Sequence, residues 1–315
     1  MATGFTVSSL TDYVNEQSRE LLTALQFENE TASYANIQPG VKSSAALQIL
    51  TSTPIPQDGS TCAFNASGGT TFTQRILSTS AVKYQDTLCF RTLEAKWTQL
   101  LLKRGQKYDE SNVPAAMVAD LVAQIKAQQE TADWQGDTTS TSAYLSRYDG
   151  LIKIIAAASG TNVATASTWN ASNARAIVKN IISKIPAALK GSPSVKIFMG
   201  YDAAETYRQA LMDANLFHVP AGSGNQQGIM AEGSVHEVVP VHGLDGLTAS
   251  SGTSAPFIFA LDPDRNLYLG VDSPDEEDQA EMWYSQDDQN VKYSFRFRRG
   301  WQIAFPSEIV EYANS

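Results

Sequence analysis

Cysteine, histidine and positive charge are all scarce in this chain. The two cysteines among 315 residues, Cys62 and Cys89, cannot frame a disulfide-built fold. They read as reduced thiols, a Cys62–Cys89 bridge being the lesser alternative. No apolar run reaches the length that a bilayer-crossing helix needs, and residues 1–10 hold neither a basic stretch nor an apolar core. Neither a membrane span nor a signal peptide is therefore expected. The histidines are His218, His236 and His242. The last two lie six apart with no cysteine nearby, which suits strand or surface positions better than metal ligation. Lys and Arg number 23 against 33 Asp and Glu, a net charge of −10. That balance argues against a dedicated nucleic-acid binder while leaving room for a local basic strip.

Catalytic signatures are missing as well. Gly222, Gly224 and Gly228 imitate a dinucleotide loop, but the third glycine comes one place late and the loop opens no helix. A flexible loop is the better reading. There is no phosphate-binding loop and no Gly-x-Ser-x-Gly elbow. Asp262, Asp264 and Asn266 copy the opening ligands of a calcium loop, yet Leu267 replaces its glycine and Ser273 its closing glutamate. A turn between strands fits better, and the acidic run 275–278 reads as a solvated loop. No enzyme and no cofactor are expected. The remaining catalytic alternative is an unrecognised α/β enzyme using Asp202, His218 or Asp262.

A hydrophobic share of 43% supplies a real core, for one large domain or two modest ones. The longest helical pattern covers 112–136. Asn112 caps it, Pro114 suits its first turn, and Met117, Val118, Leu121, Val122 and Ile125 recur at three- and four-residue steps. The stripe thins toward Trp134, and Gly136 stops it. Such a helix wants a sheet beneath one side.

Ahead of it, residues 2–27 carry a helical arm pattern, Pro39 and Gly40 make a turn, and a short helix is expected over 93–105. Two strand-like runs, 61–65 and 70–78, flank Ser67, Gly68 and Gly69, which read as a hairpin tip. A third run follows over 81–90. This Thr- and Ser-rich ribbon has few large aliphatics with which to bury a face in its own domain, and an isolated two-stranded hairpin is marginal in water. It needs a partner surface, the first sign of a chain built to touch copies of itself.

Beyond 170 the pattern turns α/β. A helix places Ile177, Ile181, Ile185 and Leu189 in one file and ends at 191–193. A strand follows over 195–199, then a helix over 203–214 capped by Asp202, and strands at 235–241 and 256–261. The end is β-rich: 266–271, 282–285, 290–299 and 301–306. Tyr293, Phe295 and Phe297 alternate with Lys292, Ser294, Arg296 and Arg298, a half-buried strand with one cationic face. Lys292, Arg296, Arg298 and Arg299 form the candidate basic face. Salt bridging to the abundant acids is the first explanation, a phosphate-facing strip the second.

The order of these parts resembles the major capsid proteins of tailed bacteriophages with the HK97-type fold, over essentially the whole chain. The stretches that carry the resemblance are Ile37-Gln-Pro-Gly-Val-Lys-Ser-Ser, the ribbon from Cys62 to Arg75, Leu88-Cys-Phe-Arg-Thr-Leu-Glu and Trp134-Gln-Gly-Asp. Further on they are Tyr148-Asp-Gly-Leu-Ile-Lys-Ile-Ile and Trp283-Tyr-Ser through Phe295-Arg-Phe-Arg-Arg-Gly-Trp to Phe305-Pro. The finer likeness is to phages of Bacteroidetes-type bacteria.

The resemblance implies an α+β fold divided as follows. Residues 1–53 are an N-terminal arm and 54–90 an extended β-hairpin loop. Residues 91–147 are a peripheral domain with its spine helix, 148–263 an inserted α/β axial domain, and 264–315 the peripheral domain's closing strands. The loop with Gly222, Gly224 and Gly228 and the loop 243–254 become candidates for the axial tip, and Ser67, Gly68 and Gly69 for the extended-loop tip. The implied function is a major capsid protein, forming hexamers and pentamers of an icosahedral head around double-stranded DNA. Assembly is expected in the host cytoplasm, with portal, scaffold or decoration proteins as further partners and only non-specific contact to the packaged DNA. An encapsulin-like shell around a cargo enzyme is the alternative.

Overall fold

The computed structural model describes residues 29–60, 67–89, 112–164, 167–214, 229–247, 256–272, 279–288 and 290–312. The helices expected over 2–27 and 93–105, the run 61–65, Cys62, His218 and the glycine loop with Gly222, Gly224 and Gly228 lie outside them.

In chain order the strands are β1 (Asn36–Gln38), β2 (Ser44–Pro54), β3 (Gly68–Ser78), β4 (Ser80–Cys89), β5 (Asn162–Val163), β6 (Lys196–Met199), β7 (Ile229–Met230) and β8 (Glu237–Pro240). They continue with β9 (Ile258–Leu261), β10 (Leu267–Val271), β11 (Gln279–Ser285), β12 (Asn290–Ile303) and β13 (Val310–Tyr312). The helices are α1 (Asn112–Gln135), α2 (Leu151–Ala157), α3 (Ala174–Lys184), α4 (Tyr201–Asp213) and the single turn α5 (Pro263–Asn266). None of the described helices is long and apolar enough to cross a membrane.

Two sheets and one free ribbon result. A five-stranded sheet runs β1-β10-β12-β11, with β4 also paired to β12. A six-stranded sheet runs β5-β13-β9-β6-β8-β7. The ribbon is β2 and β3 alone. The central strands of the six-stranded sheet are buried on both faces, so their side chains feed two cores in alternation. Ile197, Met199, Ile258 and Ala260 join the α3 and α4 side. Phe198, Phe259 and Leu261 join a second core together with Trp134, Leu267, Phe297 and Trp301. That second core is shared by both sheets.

Several sequence boundaries move for identifiable reasons. β3 pairs with β2, from Ser44↔Ser78 to Pro54↔Gly68. This register places Leu47 and Leu77 on one face, where they close a small core with Val41. The run 81–90 is no part of the ribbon: β4 pairs along ten residues of β12, from Asn290↔Cys89 to Arg299↔Ser80.

The two strands expected at 290–299 and 301–306 are one, because β12 continues through Gly300. A side chain there would strike the carbonyl of Ser78, and one at its cross-strand partner Gly270 would press on Leu77 and Thr79. The paired glycines are the seat where the ribbon's root crosses the sheet.

The chain's end departs from the expected division. β13 pairs with β5 and β9, so the C-terminus closes the six-stranded sheet instead of the five-stranded one. At the other end, β1 pairs in parallel with β10 and belongs to the main sheet. α3 stops at Lys184 and not at 191, since Ile185 precedes Pro186 and must leave the helical region. Gly200, not Asp202, occupies the cap position of α4, and Asp202 lies in the first turn, where its charge suits the helix dipole. α1 ends at Gln135, directly before Gly136.

Candidate assembly surface

Among the described residues, the ribbon beyond its root pairs with no further strand. Eleven residue pairs give it a length of about 35 Å. Only its root is buried, through Leu47, Ile49 and Leu77. Cross-strand partners share a face, so the opposite side carries Ala46 with Ile76, Gln48 with Gln74, Leu50 with Phe72, and Ser52 with Thr70. On that side Ile76, Leu50 and Phe72 stand 58%, 57% and 76% exposed. Between Ser44 and Ser78 the only charged residues are Asp58 and Arg75. Long exposed edges are ordinarily protected by charge or proline. These carry an apolar face and almost no charge.

Of the three tip residues, Gly68 and Gly69 are paired, opposite Pro54 and Thr53 at the ribbon's far end. Gly68 takes a positive φ of 94°, which a side chain would resist. Ser67 precedes the strand and hydrogen-bonds with Gln57 across the connection.

The four basic residues do not share one surface. Side chains alternate along β12, so Lys292, Arg296 and Arg298 point one way and Arg299 the other. Arg299 is fully buried. Its guanidinium donates to Asp133 at 2.8 and 2.5 Å, and Trp301 Nε1 and Tyr148 Oη donate to the same carboxylate at 2.7 Å each. Burial alone would push the Arg299 pKa down, but Asp133 more than offsets this and holds it above the usual value. Burial, then Asp133, drive the Tyr148 hydroxyl well up and that of Tyr84 to about 12.

On the outer side, Lys292 pairs with Asp288 and Arg298 lies 3.7 Å from Asp272. Arg296 is exposed, and its cross-strand partner on β4 is Lys83, also exposed. The outer basic set is therefore Lys292, Arg296, Arg298 and Lys83. Lys83 escaped the sequence reading because only the β4–β12 register brings it there.

The remaining singled-out residues have structural roles. Asp262 precedes α5 and accepts from Ser194 Oγ at 2.7 Å, and Asn266 Oδ1 accepts from the Phe305 amide at 2.7 Å. His236 is buried, while His242 is exposed beside Glu30 at 2.7 Å. Among the described residues no group of three or more His, Cys, Asp or Glu is arranged to hold a metal.

The last turns of α1 lie between the two sheets. Asp133 grips β12, while Gln135 Nε2 donates to the Gly243 carbonyl at 2.9 Å. The Gly243 backbone lies directly against Trp134, leaving no room for a side chain.

No family model matches the chain, and no curated protein matches it. Solved structures do. It is similar to a capsid chain of an empty GTA particle at 11% identity, with 90% of each chain covered and a TM-score of 0.57. A chain of the satellite phage P4 procapsid, which includes the size-determination protein, matches at 12% identity. That match covers 93% of this chain and 98% of the other, with a TM-score of 0.57. The capsid of Myoviridae phage XM1 matches at 12% identity over 93% and 92%, with a TM-score of 0.54. These likenesses show a shared fold over nearly the full length, the HK97-type fold of phage capsids.

Proposed function

We propose that this chain, folded as phage capsid proteins are, is the major capsid protein of a tailed bacteriophage, a structural subunit and not a catalyst. It assembles into hexamers and pentamers that close an icosahedral head around double-stranded DNA. The observation that carries this reading is the nearly uncharged ribbon with its exposed Leu50, Phe72 and Ile76. Laid on a neighbouring subunit, it would bury apolar surface and satisfy its free backbone edges. Symmetric repetition then turns modest contacts into a closed shell.

In this reading the five-stranded sheet with α1 forms the peripheral domain. The six-stranded sheet with α3 and α4 forms the axial domain, and the loop with Gly222, Gly224 and Gly228 supplies its tip. The outer basic set on β4 and β12 meets packaged DNA through phosphates, without sequence preference. Portal, scaffold and decoration proteins are further partners, and the head forms in the host cytoplasm.

Replacing both Leu50 and Phe72 by Asp tests the ribbon. The expected result is a chain with unchanged circular dichroism and melting temperature that forms no shells under negative stain. Normal shells from this variant would refute the assignment. Nucleic acid inside wild-type shells supports a phage head, whereas a captive protein would point to a cargo compartment.

A further inference from the structure

Residues 29–34 cross the junction between α1 and the six-stranded sheet, and a buried carboxyl holds them there. The Thr31 amide donates to Glu130 Oε2 at 3.1 Å, and Thr31 Oγ1 makes a short hydrogen bond with Glu130 Oε1. Trp134 Nε1 donates to the same Thr31 hydroxyl at 2.6 Å, and Asn29 Nδ2 donates to Gln129 Oε1 at 3.2 Å. Next door, Glu30 reaches the other side of the junction. It accepts from the His242 amide at 2.9 Å and from Tyr201 Oη at 3.3 Å. Three consecutive residues thus bridge α1 to the six-stranded sheet, over a cavity of about 580 Å³ lined by Asn29, Glu30, Lys126, Glu130, His242 and Asp245.

Glu130 is only 3% exposed, and no guanidinium neutralises it as Arg299 neutralises Asp133. The charged and titratable groups around it are Lys126 and Asp133 on its own helix and Glu30 on the crossing segment. His242 and Asp245 face it from beyond β8, Tyr201 from α4, and Arg299 from β12.

We propose that Glu130 is a proton-controlled latch: neutral, it clamps residues 29–31 across the junction, and ionised, it releases them. Thr31 donates both of its bonds to Glu130, which favours the ionised carboxyl, but burial and the facing Asp133 and Glu30 outweigh them, and the neutral form places no charge in the core. The ionised form confronts Asp133 and Glu30 in a poorly solvated site. Release exposes the carboxylate to water through the cavity. Burial, and then Asp133, lift the Glu130 pKa from an ordinary 4.5 to about 7, against the opposing hydrogen bonds from Thr31. Because the clamped value is the higher one, the contribution is complete below about pH 4.5 and is lost as pH rises through about 7. The latch tightens in acid. This inference does not depend on the assembly proposal.

Hydrogen exchange of residues 29–34, measured on the full chain and corrected for intrinsic rate, reads the latch directly. Opening should increase on the order of fifty-fold from pH 5 to pH 8 in the wild type. It should stay flat in Glu130→Gln and keep the wild-type profile in His242→Asn. A Glu130→Gln profile that follows the wild type overturns the proposal, as does one that disappears only in His242→Asn. Infrared spectroscopy supplies a readout without a variant. A protonated carboxyl band should persist at pH 6 in the folded chain and titrate away near pH 7, and its absence would equally overturn the latch.

Discussion

At the scale of single residues, Asp133 organises more of the molecule than any exposed group. It accepts from Arg299, Trp301 and Tyr148, and so ties α1 to β12 and to the start of α2 inside a dry core. An ion pair so buried is costly to halve, because the surviving charge keeps its desolvation cost without its partner. Arg299→Ala should destabilise the fold by about 3–5 kcal/mol in urea unfolding. The joint replacement Asp133→Leu with Arg299→Met should recover much of that loss, since both charges leave together. Glu130, one turn earlier, is met instead by the Thr31 amide and hydroxyl. The helical pattern puts Glu130 on a face away from the apolar stripe, and nothing in the sequence signals that Glu130 and Asp133 are both buried.

At the scale of elements, the ribbon is attached through a narrow seat. Leu77 and Thr79 rest on Gly270, and the Ser78 carbonyl rests on Gly300. Thr79 Oγ1 also donates to the Val41 carbonyl at 2.8 Å. A methyl group at Gly300 cannot be accommodated by rotating a side chain, because the obstacle is backbone. Gly300→Ala should therefore cost about 1–3 kcal/mol in thermal or urea unfolding. It should also raise hydrogen exchange in β2 and β3 more than in β10. Equal exchange in β2, β3 and β10 would show that the ribbon's root does not depend on this seat. The ribbon's first strand opens at Ser44, some seventeen residues ahead of the run expected from 61. Residues 44–54 alternate too weakly to announce a strand, and only pairing with β3 makes them one.

At the scale of the whole molecule, two sheets share one core and the chain passes between them repeatedly, with β1 at one end and β13 at the other sewn into different sheets. The outer face of β4 and β12 sets Lys83 and Arg296 directly opposite each other, a like-charge pair that costs stability unless an anion lies nearby. The double change Lys83→Glu with Arg296→Glu should leave the fold and shell assembly intact. It should lower the magnitude of the salt slope for DNA binding by about 2, roughly one unit per lost phosphate contact. An unchanged slope would remove this face from the DNA-contacting surface.

The sequence by itself determined the local structure where a single element carries its own signal. α1 has its stripe and terminating glycine in one run, and β12 shows its alternation over consecutive residues. The α/β block from 170 onward also announced its order. Tertiary structure alone decided which strands are neighbours, because register is an agreement between segments far apart in the chain. It took β4 away from the ribbon and gave β2 to it, returned the C-terminus to the six-stranded sheet, and split the basic residues between the core and the surface. An arginine reads the same in sequence whether its partner is water or Asp133; only the packing of α1 against β12 makes that choice.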